Sequence, residues 1–308
     1  MPEPIHRRAF IKASAGMAML AGGAGAIKAQ GIVSRDPGVG VRLSLNAFSF
    51  NQPLSNHTMT LFDVIDYCVQ HGIQAVDPTG YYFPDQPSNA TGKAPSDEYI
   101  YKLKRKAFIN GVTISGTGVR NNFATPDAAA RTKDVQMIKN WVVVASKLGA
   151  PLMRVYSGTK IPDGYTFDQV LDWMIPNLKE CADYAEHHGV ILAVQNHNGF
   201  IKTADQAIRI IKGVDSEWFG SVLDIGSFQE GDDPYSEIVK LEPYAYAWQL
   251  KQKVYVDGKA VPTDLAKVKG IIDKMGYRGF LPVETLGRED PRVAVAAFFA
   301  EARKYFPS

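Results

Sequence analysis

Residues 190–226 read VILAVQNHNGFIKTADQAIRIIKGVDSEWFGSVLDIG and contain one complete structural unit and the start of the next. A short apolar run at Val190–Gln195 predicts a strand, and a polar loop follows it. The amphipathic stretch Thr203–Lys212 predicts a helix. A second apolar run, Gly220–Asp224, predicts another strand. A strand, a helix and a strand in this order indicate two parallel strands joined by a crossover helix.

The same order of elements occurs eight times after Gly40. The predicted strands are Val41–Ala47, Ile73–Asp77, Val112–Gly116, Leu152–Tyr156, Val190–Gln195, Gly220–Asp224, Ala245–Leu250 and Gly279–Glu284. The predicted helices are Thr60–His71, Ser96–Asn110, Asp127–Leu148, Thr166–His188, Thr203–Lys212, Pro234–Leu241, Thr263–Met275 and Pro291–Phe306, and glycines at 149, 189, 213 and 276 are placed to cap helix ends. Eight such units close into a barrel, so we predict an α/β protein with a single (β/α)8 TIM barrel over residues 30–308. An open doubly wound sheet is the alternative, but no G-x-G-x-x-G loop follows the first strand.

One long irregular stretch, Tyr81–Pro95, follows the second predicted strand and is rich in Pro, Asn and Gly. Its position would place it over the barrel mouth, as a lid or specificity loop. A surface insertion without a role fits the sequence equally well.

The composition excludes several classes of protein. The chain has 308 residues, of which 45% are hydrophobic and 21% charged, and the mean hydropathy is −0.15. These values exclude a disordered chain and a protein with several membrane spans. With two cysteines, Cys68 and Cys181, the chain is neither a disulfide scaffold nor a cysteine-based zinc protein, and both thiols are expected on outer helices, buried and too far apart to bridge. The 34 basic and 32 acidic residues are too evenly balanced for a nucleic-acid binder.

The N-terminus has a different character from the rest of the chain. His6–Lys12 reads HRRAFIK, and an Ala- and Gly-rich run follows. Arg7, Arg8, Phe10 and Lys12 resemble a twin-arginine export signal, so we predict that residues 1–29 are a signal peptide and flexible segment, removed after Ala26 or Ala29, and that the protein acts in the periplasm. Without residues 1–29 the chain has 30 basic and 31 acidic residues, a net charge of −1. The slight basicity therefore belongs to the predicted signal.

Polar residues end the last four predicted strands. Gln195, Asp224, Gln249 and Glu284 stand at or next to the carboxyl ends of four successive strands. In a (β/α)8 barrel these ends meet at one rim, where the reacting groups are found. A carboxylate that ends a buried strand is costly unless it is paired or bound to a metal.

With these four residues in this order, the chain resembles the sugar isomerase/epimerase superfamily, the xylose isomerase-like barrels that also include metal-dependent abasic-site endonucleases. The resemblance implies an enzyme that acts on a sugar or keto-sugar. It also implies one divalent metal held by Gln195, Asp224, Gln249 and Glu284, where the family commonly has Glu, Asp, His and Glu. Oxygen ligands of this kind favour Mn²⁺, Mg²⁺, Ca²⁺ or Co²⁺ over Zn²⁺.

The two glutamines change the chemistry that the resemblance implies. The family's epimerases use paired glutamates on opposite faces of the reacting carbon, and Gln195 removes one of them. We therefore expect Glu284 to act as the base, with Lys251 and His197 as proton donors or further bases, in proton abstraction next to a carbonyl that is assisted by the metal. Substrate contacts are predicted for Arg154, Tyr156, Trp248 and Phe228. Asn46, Asp77 and Arg120, and the aromatic residues Phe48, Phe50, Tyr81 and Tyr82, are weaker candidates near the same rim.

Three alternatives remain open from the sequence. The same fold could carry a lyase or hydratase acting on a 3-keto-glycoside or keto-inositol, which the loss of the second glutamate favours. It could also be a non-catalytic sugar-binding barrel. An abasic-site endonuclease is disfavoured, because the rim lacks a His-, Asp- and Glu-rich cluster and the mature charge is slightly negative. We thus expect the protein to bind a small carbohydrate and to bind neither nucleic acid nor, once the signal is removed, a membrane. The sequence leaves the oligomeric state open, and a homo-oligomer is compatible with it.

Overall fold

The computed structural model describes residues 31–35, 40–86, 91–197, 199–229 and 233–307, so the predicted signal peptide lies outside the described residues. A parallel sheet forms the centre of the molecule. Its strands are β1 (Val41–Asn46), β2 (Ala75–Asp77), β3 (Thr113–Ile114), β4 (Thr117–Gly118), β5 (Leu152–Val155), β6 (Ile191–Gln195), β7 (Phe219–Asp224), β8 (Ala245–Lys251) and β11 (Gly279–Glu284). The order of neighbours is β3-β2-β1-β11-β8-β7-β6-β5-β4.

The sheet closes because β3 and β4 are two halves of one strand position. β3 pairs with β2 and β4 pairs with β5, and Ser115 continues the ladder by donating its N–H to Val76 O at 2.9 Å. Thr79 and Gly118 form a parallel bridge on the other side of the interruption. Eight strand positions therefore surround the barrel axis, and the predicted single (β/α)8 barrel is confirmed.

Helices cover the outside of the sheet. They are α1 (Asn51–Ser55), α2 (Leu61–Gln70), α3 (Asp97–Ile109), α4 (Ala128–Leu148), α5 (Phe167–His187), α6 (Ala204–Val214), α7 (Pro234–Leu241), α8 (Leu265–Met275) and α9 (Pro291–Ala302). In the described part of the chain, none of them is long and apolar enough to cross a membrane. Cys68 in α2 and Cys181 in α5 are buried free thiols, as expected.

Local sequence sets where these helices begin and end. Thr60, Thr166 and Thr203 cap α2, α5 and α6, and in each case the acid or amide three residues later returns a hydrogen bond to the cap. The expected cap at Gly213 is wrong, because α6 continues to Val214 and ends at Asp215, whose φ of +51° provides the left-handed turn.

The apolar residues form two layers. The larger layer packs between the sheet and the helices. A smaller one, Leu152, Ala193 and Val222, lies inside the barrel. Each of these three residues precedes a polar rim residue by two positions, and side chains two apart on a strand face the same way. The small cluster is therefore the apolar floor of the site above it.

A β-hairpin that the sequence analysis missed follows β8. Its strands are β9 (Lys253–Val256) and β10 (Lys259–Pro262), which pair antiparallel. Asp257 and Gly258 have φ of +50° and +70°, as a tight two-residue hairpin turn requires. The signal was present, since an Asp-Gly pair stands between two β-branched runs. The hairpin extends the rim on the side of β8.

Candidate active site

The rim residues face the barrel interior because of strand alternation. Arg154, Gln195, Asp224, Gln249 and Glu284 lie at or near the carboxyl ends of five neighbouring strands, β5, β6, β7, β8 and β11, and all five are buried. Asp224 is the register partner of Gln249, and Glu284 is the partner of Lys251. The structure thus brings the predicted polar residues of four strands to one place.

Two amides connect the two carboxylates; we call Gln195 and Gln249 the amide bridge. The Nε2 group of Gln195 donates to Asp224 Oδ2 at 2.7 Å and to Gln249 Oε1 at 2.6 Å. The Nε2 group of Gln249 donates in turn to Glu284 Oε2. An ionised carboxylate only accepts hydrogen bonds. The Gln195 nitrogen must therefore face Asp224, and the Gln249 nitrogen must face Glu284.

Lys251 supplies the positive charge of the site. Its Nζ donates to Glu284 Oε1 and lies 3.4 Å from Asp224 Oδ2. The side chains of all three residues are nearly inaccessible to solvent, with exposed fractions of 11% for Lys251, 2% for Asp224 and 5% for Glu284. Ion pairs this far from water are strong only when every partner is satisfied, which is the case here.

Neighbouring backbone fixes this arrangement. Asn196 holds the Asp224 backbone from both sides, accepting its N–H at 2.7 Å and donating to its carbonyl at 2.9 Å. The Gly226 N–H donates to Asp224 Oδ1 at 3.0 Å. A Cβ on Gly226 would lie 2.7 Å from Lys251 Cγ, so a glycine is needed where the lysine stem passes.

Burial and charge shift the acid–base properties of these groups. Burial raises the pKa of Glu284, with a further increase from Asp224, and Lys251 opposes both. Burial acts to lower the pKa of Lys251, but the two carboxylates outweigh it and the pKa is raised. Burial lowers the pKa of His197 despite the opposing effect of Asp224. The site at neutral pH therefore holds a charged lysine and a neutral histidine.

A second polar group lies across the barrel on β5. The Arg154 guanidinium donates to the Tyr81 hydroxyl at 2.6 Å and to Val119 O at 2.6 Å, and it lies 4.3 Å from the Tyr156 ring centroid. Tyr156 contacts the His197 ring edge to face at 5.1 Å. Burial raises the pKa of Asp77 to about 6, although Arg154 lowers it.

These groups line a cavity of about 430 Å³ at the barrel mouth. Of the predicted site residues, the cavity wall includes Arg154, Tyr156, Gln195, His197, Asp224, Gln249, Lys251 and Glu284. Of the weaker candidates, Asn46, Phe48, Tyr81 and Arg120 also line it, whereas Asp77, Phe50 and Tyr82 are not part of its wall. Tyr81 is the first residue of the predicted lid stretch, of which residues 87–90 lie outside the described part of the chain.

Two predicted substrate contacts are not brought to the cavity. Trp248 is fully buried and packs against Tyr277, with ring centroids 5.5 Å apart. It precedes Gln249, which faces inward, so strand alternation turns Trp248 towards the helices. Phe228 is also buried in the outer core, and its neighbours Ser227 and Gln229 line the cavity instead. The assignment of both aromatic residues to the cavity wall is therefore wrong.

Part of the cavity wall was not predicted from the sequence. Gln252, Lys253, Tyr255 and Ala260 line the cavity from the β8 end and the hairpin. The alternation of side chains along a strand places Gln249 and Lys251 inside the barrel, but it applies only within β8. It therefore does not predict which way the residues after Lys251 face. The signal that points to these residues is the Asp257-Gly258 turn, which predicts a hairpin after β8.

Comparison with known proteins agrees with this architecture. The family described as xylose isomerase-like TIM barrel matches residues 65–302. The chain belongs to this family. The xylose isomerase-like barrel begins before the matched residues, because β1 (Val41–Asn46) pairs with β11.

Individual relatives of this xylose isomerase-like chain are more distant. "Probable endonuclease 4" of Thermotoga sp. (strain RQ2) is 27% identical over 118 residues, which make up 37% of this chain and 40% of that protein. The match thus spans well under half of that relative. D-psicose 3-epimerase from Clostridium cellulolyticum H10, solved with D-tagatose, superimposes with a TM-score of 0.71 at 18% identity, over 86% of this chain and 99% of that one. For 3-keto-D-glucoside 4-epimerase from E. coli the TM-score is 0.69 at 13% identity, over 86% and 99%. At these identities the likeness shows the fold.

The arrangement of donors does not fit the divalent metal that the resemblance implies. Within the described residues, no three His, Cys, Asp or Glu side chains come together as a metal site. The two amides could offer oxygens, but their nitrogens face the carboxylates, and reversing them would set oxygen against oxygen. A lysine ammonium already contacts both carboxylates. The donors and charges already present therefore occupy the place where a divalent cation would bind.

Proposed function

We propose that the protein is a sugar isomerase or epimerase that removes a proton from the carbon next to the carbonyl group of a sugar or keto-sugar. The observation that carries the proposal is the buried Lys251–Glu284 pair in the wall of a cavity of about 430 Å³. A carboxylate and an ammonium group side by side can share the two tasks of enolisation. The family and the fold support a carbohydrate substrate.

Glu284 is the base in this reaction. Its Oε atom accepts the proton as the C–H bond breaks, and the electron pair moves to the carbonyl oxygen to give an enolate. Its raised pKa makes it a stronger base than an exposed glutamate. The Lys251 ammonium donates a hydrogen bond to the enolate oxygen, so that the developing charge meets a fixed positive group whose side chain is almost fully buried.

The other cavity residues orient the substrate and return the proton. Arg154, Tyr156 and Tyr81 present a guanidinium and two rings to the sugar from β5 and the loop after β2. His197 follows β6, which is separated from β11 by β7 and β8. Its resting form at pH 7 is neutral, so it first takes up a proton from solvent. We assign to the resulting imidazolium the return of that proton from the side of the cavity away from Glu284, which leaves the imidazole neutral again. Protonation of the opposite face of the same carbon completes epimerisation.

A lyase or hydratase is the second candidate, and Gln195 favours it. The amide of Gln195 cannot take a proton, and it is held by Asp224 and Gln249. A site with one carboxylate base and one histidine is suited to elimination. Glu284 removes the proton, and His197, after taking up a proton from solvent, passes it to the leaving hydroxyl or alkoxide. The products are then an unsaturated ketone and water or an alcohol.

The two candidates are separated by a product analysis. The mature chain is incubated with ketohexoses and 3-keto-glucosides, and the products are followed by chromatography, mass and ultraviolet absorbance. An isomer of unchanged mass supports the isomerase, whereas an absorbing ketone that has lost water or an alcohol supports the lyase. Tight binding of these sugars without any turnover would contradict both and would support a sugar-binding barrel. We also propose that the protein works in the periplasm, on the basis of the Arg7-Arg8 segment.

A further inference from the structure

We infer that the Lys251 ammonium takes the place of the divalent cation in this barrel, so that the site is complete without a metal. The inference deepens the proposed function, because it names the group that would stabilise the enolate. Its main test, metal binding, does not depend on any activity.

The carboxylate oxygens provide the first argument, since each already accepts a hydrogen bond. Asp224 Oδ1 accepts from the Gly226 N–H and Oδ2 from Gln195, with Lys251 at 3.4 Å. Glu284 Oε1 accepts from Lys251 and Oε2 from Gln249. A hard cation such as Mg²⁺ or Mn²⁺ needs several oxygen lone pairs directed at one point. Here donors occupy those directions.

The direction of the amide bridge is the second argument. Because Glu284 only accepts, the Gln249 nitrogen faces it and the Gln249 oxygen faces Gln195. The Gln195 nitrogen must then serve both Gln249 and Asp224. This one-way chain of bonds satisfies two buried carboxylates with neutral groups, and it leaves neither glutamine oxygen available to a cation between the carboxylates.

Charge is the third argument. The two carboxylates and Lys251 sum to a net charge of −1, and all three side chains are almost fully buried. The permanent +1 charge of Lys251 repels a second cation at the same carboxylates. Gly226 keeps the lysine there, because a side chain at residue 226 would collide with the Lys251 stem at Cγ and with Lys253 O.

The test compares the native chain with a variant that should gain a metal. The wild type, purified without chelator, is analysed for metal content and then titrated with MnCl₂ while its thermal unfolding is recorded. We expect fewer than about 0.1 metal ion per chain and no concentration-dependent rise in Tm, because only a ligand that binds the native state raises Tm. The variant Q195E/Q249H/K251M removes the bridge and the ammonium and supplies carboxylate and imidazole donors. We expect it to bind about one Mn²⁺ per chain, with a Tm that rises with MnCl₂.

A matched control makes the result specific. Q229E/Q252H introduces the same two residue types elsewhere on the cavity wall, at residues outside the hydrogen bonds that hold Asp224 and Glu284, and we expect no gain of Mn²⁺. One bound metal per wild-type chain, lost in D224N, would overturn the inference while leaving the proposed proton transfer intact. Should the triple variant fail to fold, the wild-type measurement still decides the question. Loss of turnover in the metal-free wild type, restored by MnCl₂, would also overturn it.

Discussion

Lys251 and Glu284 are register partners on β8 and β11, and their side chains form a buried ion pair at the carboxyl end of the barrel. Parallel pairing places the two side chains next to each other on the inner face. Asp224, from the strand on the other side of β8, lies on the same ammonium at 3.4 Å. One cation thus serves two carboxylates that the sheet topology brings together, and this is the basis of the proposed chemistry.

Glu284→Gln should abolish turnover while the fold stays intact. The amide keeps the size of the side chain but cannot accept the substrate proton, and a positioned general base is worth about 10²–10⁴-fold in rate. We expect kcat to fall by at least about 100-fold, measured on whichever keto-sugar is turned over, with an unchanged circular dichroism spectrum. Glu289→Gln, on the exposed segment after β11, is the matched control. Activity like that of the wild type in Glu284→Gln would disprove the assignment of the base.

Lys251→Met should destabilise the protein more than the loss of a surface lysine does. It leaves Asp224 and Glu284 buried without a cation, and breaking one side of a buried ion pair typically costs about 3–5 kcal/mol of unfolding free energy. Lys269→Met is the control, since Lys269 pairs with Asp273 on the surface and such pairs are worth about 0–1 kcal/mol. Urea unfolding at pH 7 measures both. The double variant Lys251→Met/Glu284→Gln should recover part of the lost unfolding free energy, because it leaves one fewer buried carboxylate without a cation. If Lys251→Met and Lys269→Met lowered the unfolding free energy equally, the buried ion pair would be contradicted.

Asp77 should make the protein less stable as the pH rises from about 4 to 6. Its pKa is raised from 3.8 to about 6 in the native state, chiefly by burial, so the native state holds the proton more tightly than the unfolded chain does. Stability then falls as the pH rises through this window. We expect Asp77→Asn to reduce the slope of unfolding free energy against pH between 4 and 6, measured by urea titration. The exposed Asp85→Asn is a control that should leave the slope unchanged. A slope identical to that of the wild type in Asp77→Asn would rule out this role.

Much of the fold followed from the sequence because strand and helix periods differ. Each of the eight predicted strands and helices overlaps an observed one, since short apolar runs alternate with long amphipathic stretches. The division of the third strand position into β3 and β4 was not predictable, because it depends on how Ser115 and Gly116 meet the neighbouring strands. The end of α6 was placed too early because glycine is the usual cap, whereas Asp215 adopts the left-handed conformation here.

The site was predictable up to the ends of the strands. Alternation within a strand correctly separates the inward-facing Gln249 and Lys251, but aromatic character led Trp248 to be assigned to the cavity against that same alternation. Phe228 lies beyond β7, where alternation no longer holds. The pattern of hydrogen bonds through Gln195 and Gln249 depends on contacts between strands distant in sequence, so the residues could be named but the direction of their bonds could not.

Export should depend on the arginine pair. We expect Arg7→Lys/Arg8→Lys to leave the full-length chain in the cytoplasm of a bacterial host, because the twin-arginine route reads both guanidinium side chains. Lys28→Gln changes a charge near the predicted cleavage site but leaves the pair intact, and should still be exported. Fractionation followed by immunoblotting measures the distribution. Equal periplasmic amounts of the double variant and the wild type would contradict the predicted signal.

Solvent hydrogen exchange tests the central claim most directly. The purified protein is incubated in D₂O with ketohexoses and with 3-keto-glucosides, and the recovered sugars and products are analysed by NMR and mass spectrometry. If Glu284 abstracts the proton, deuterium will appear at the carbon next to the carbonyl group in the recovered sugar or the product. The Glu284→Gln variant should not incorporate this deuterium. A sugar that binds in the cavity and is recovered without deuterium and without any product would contradict the account.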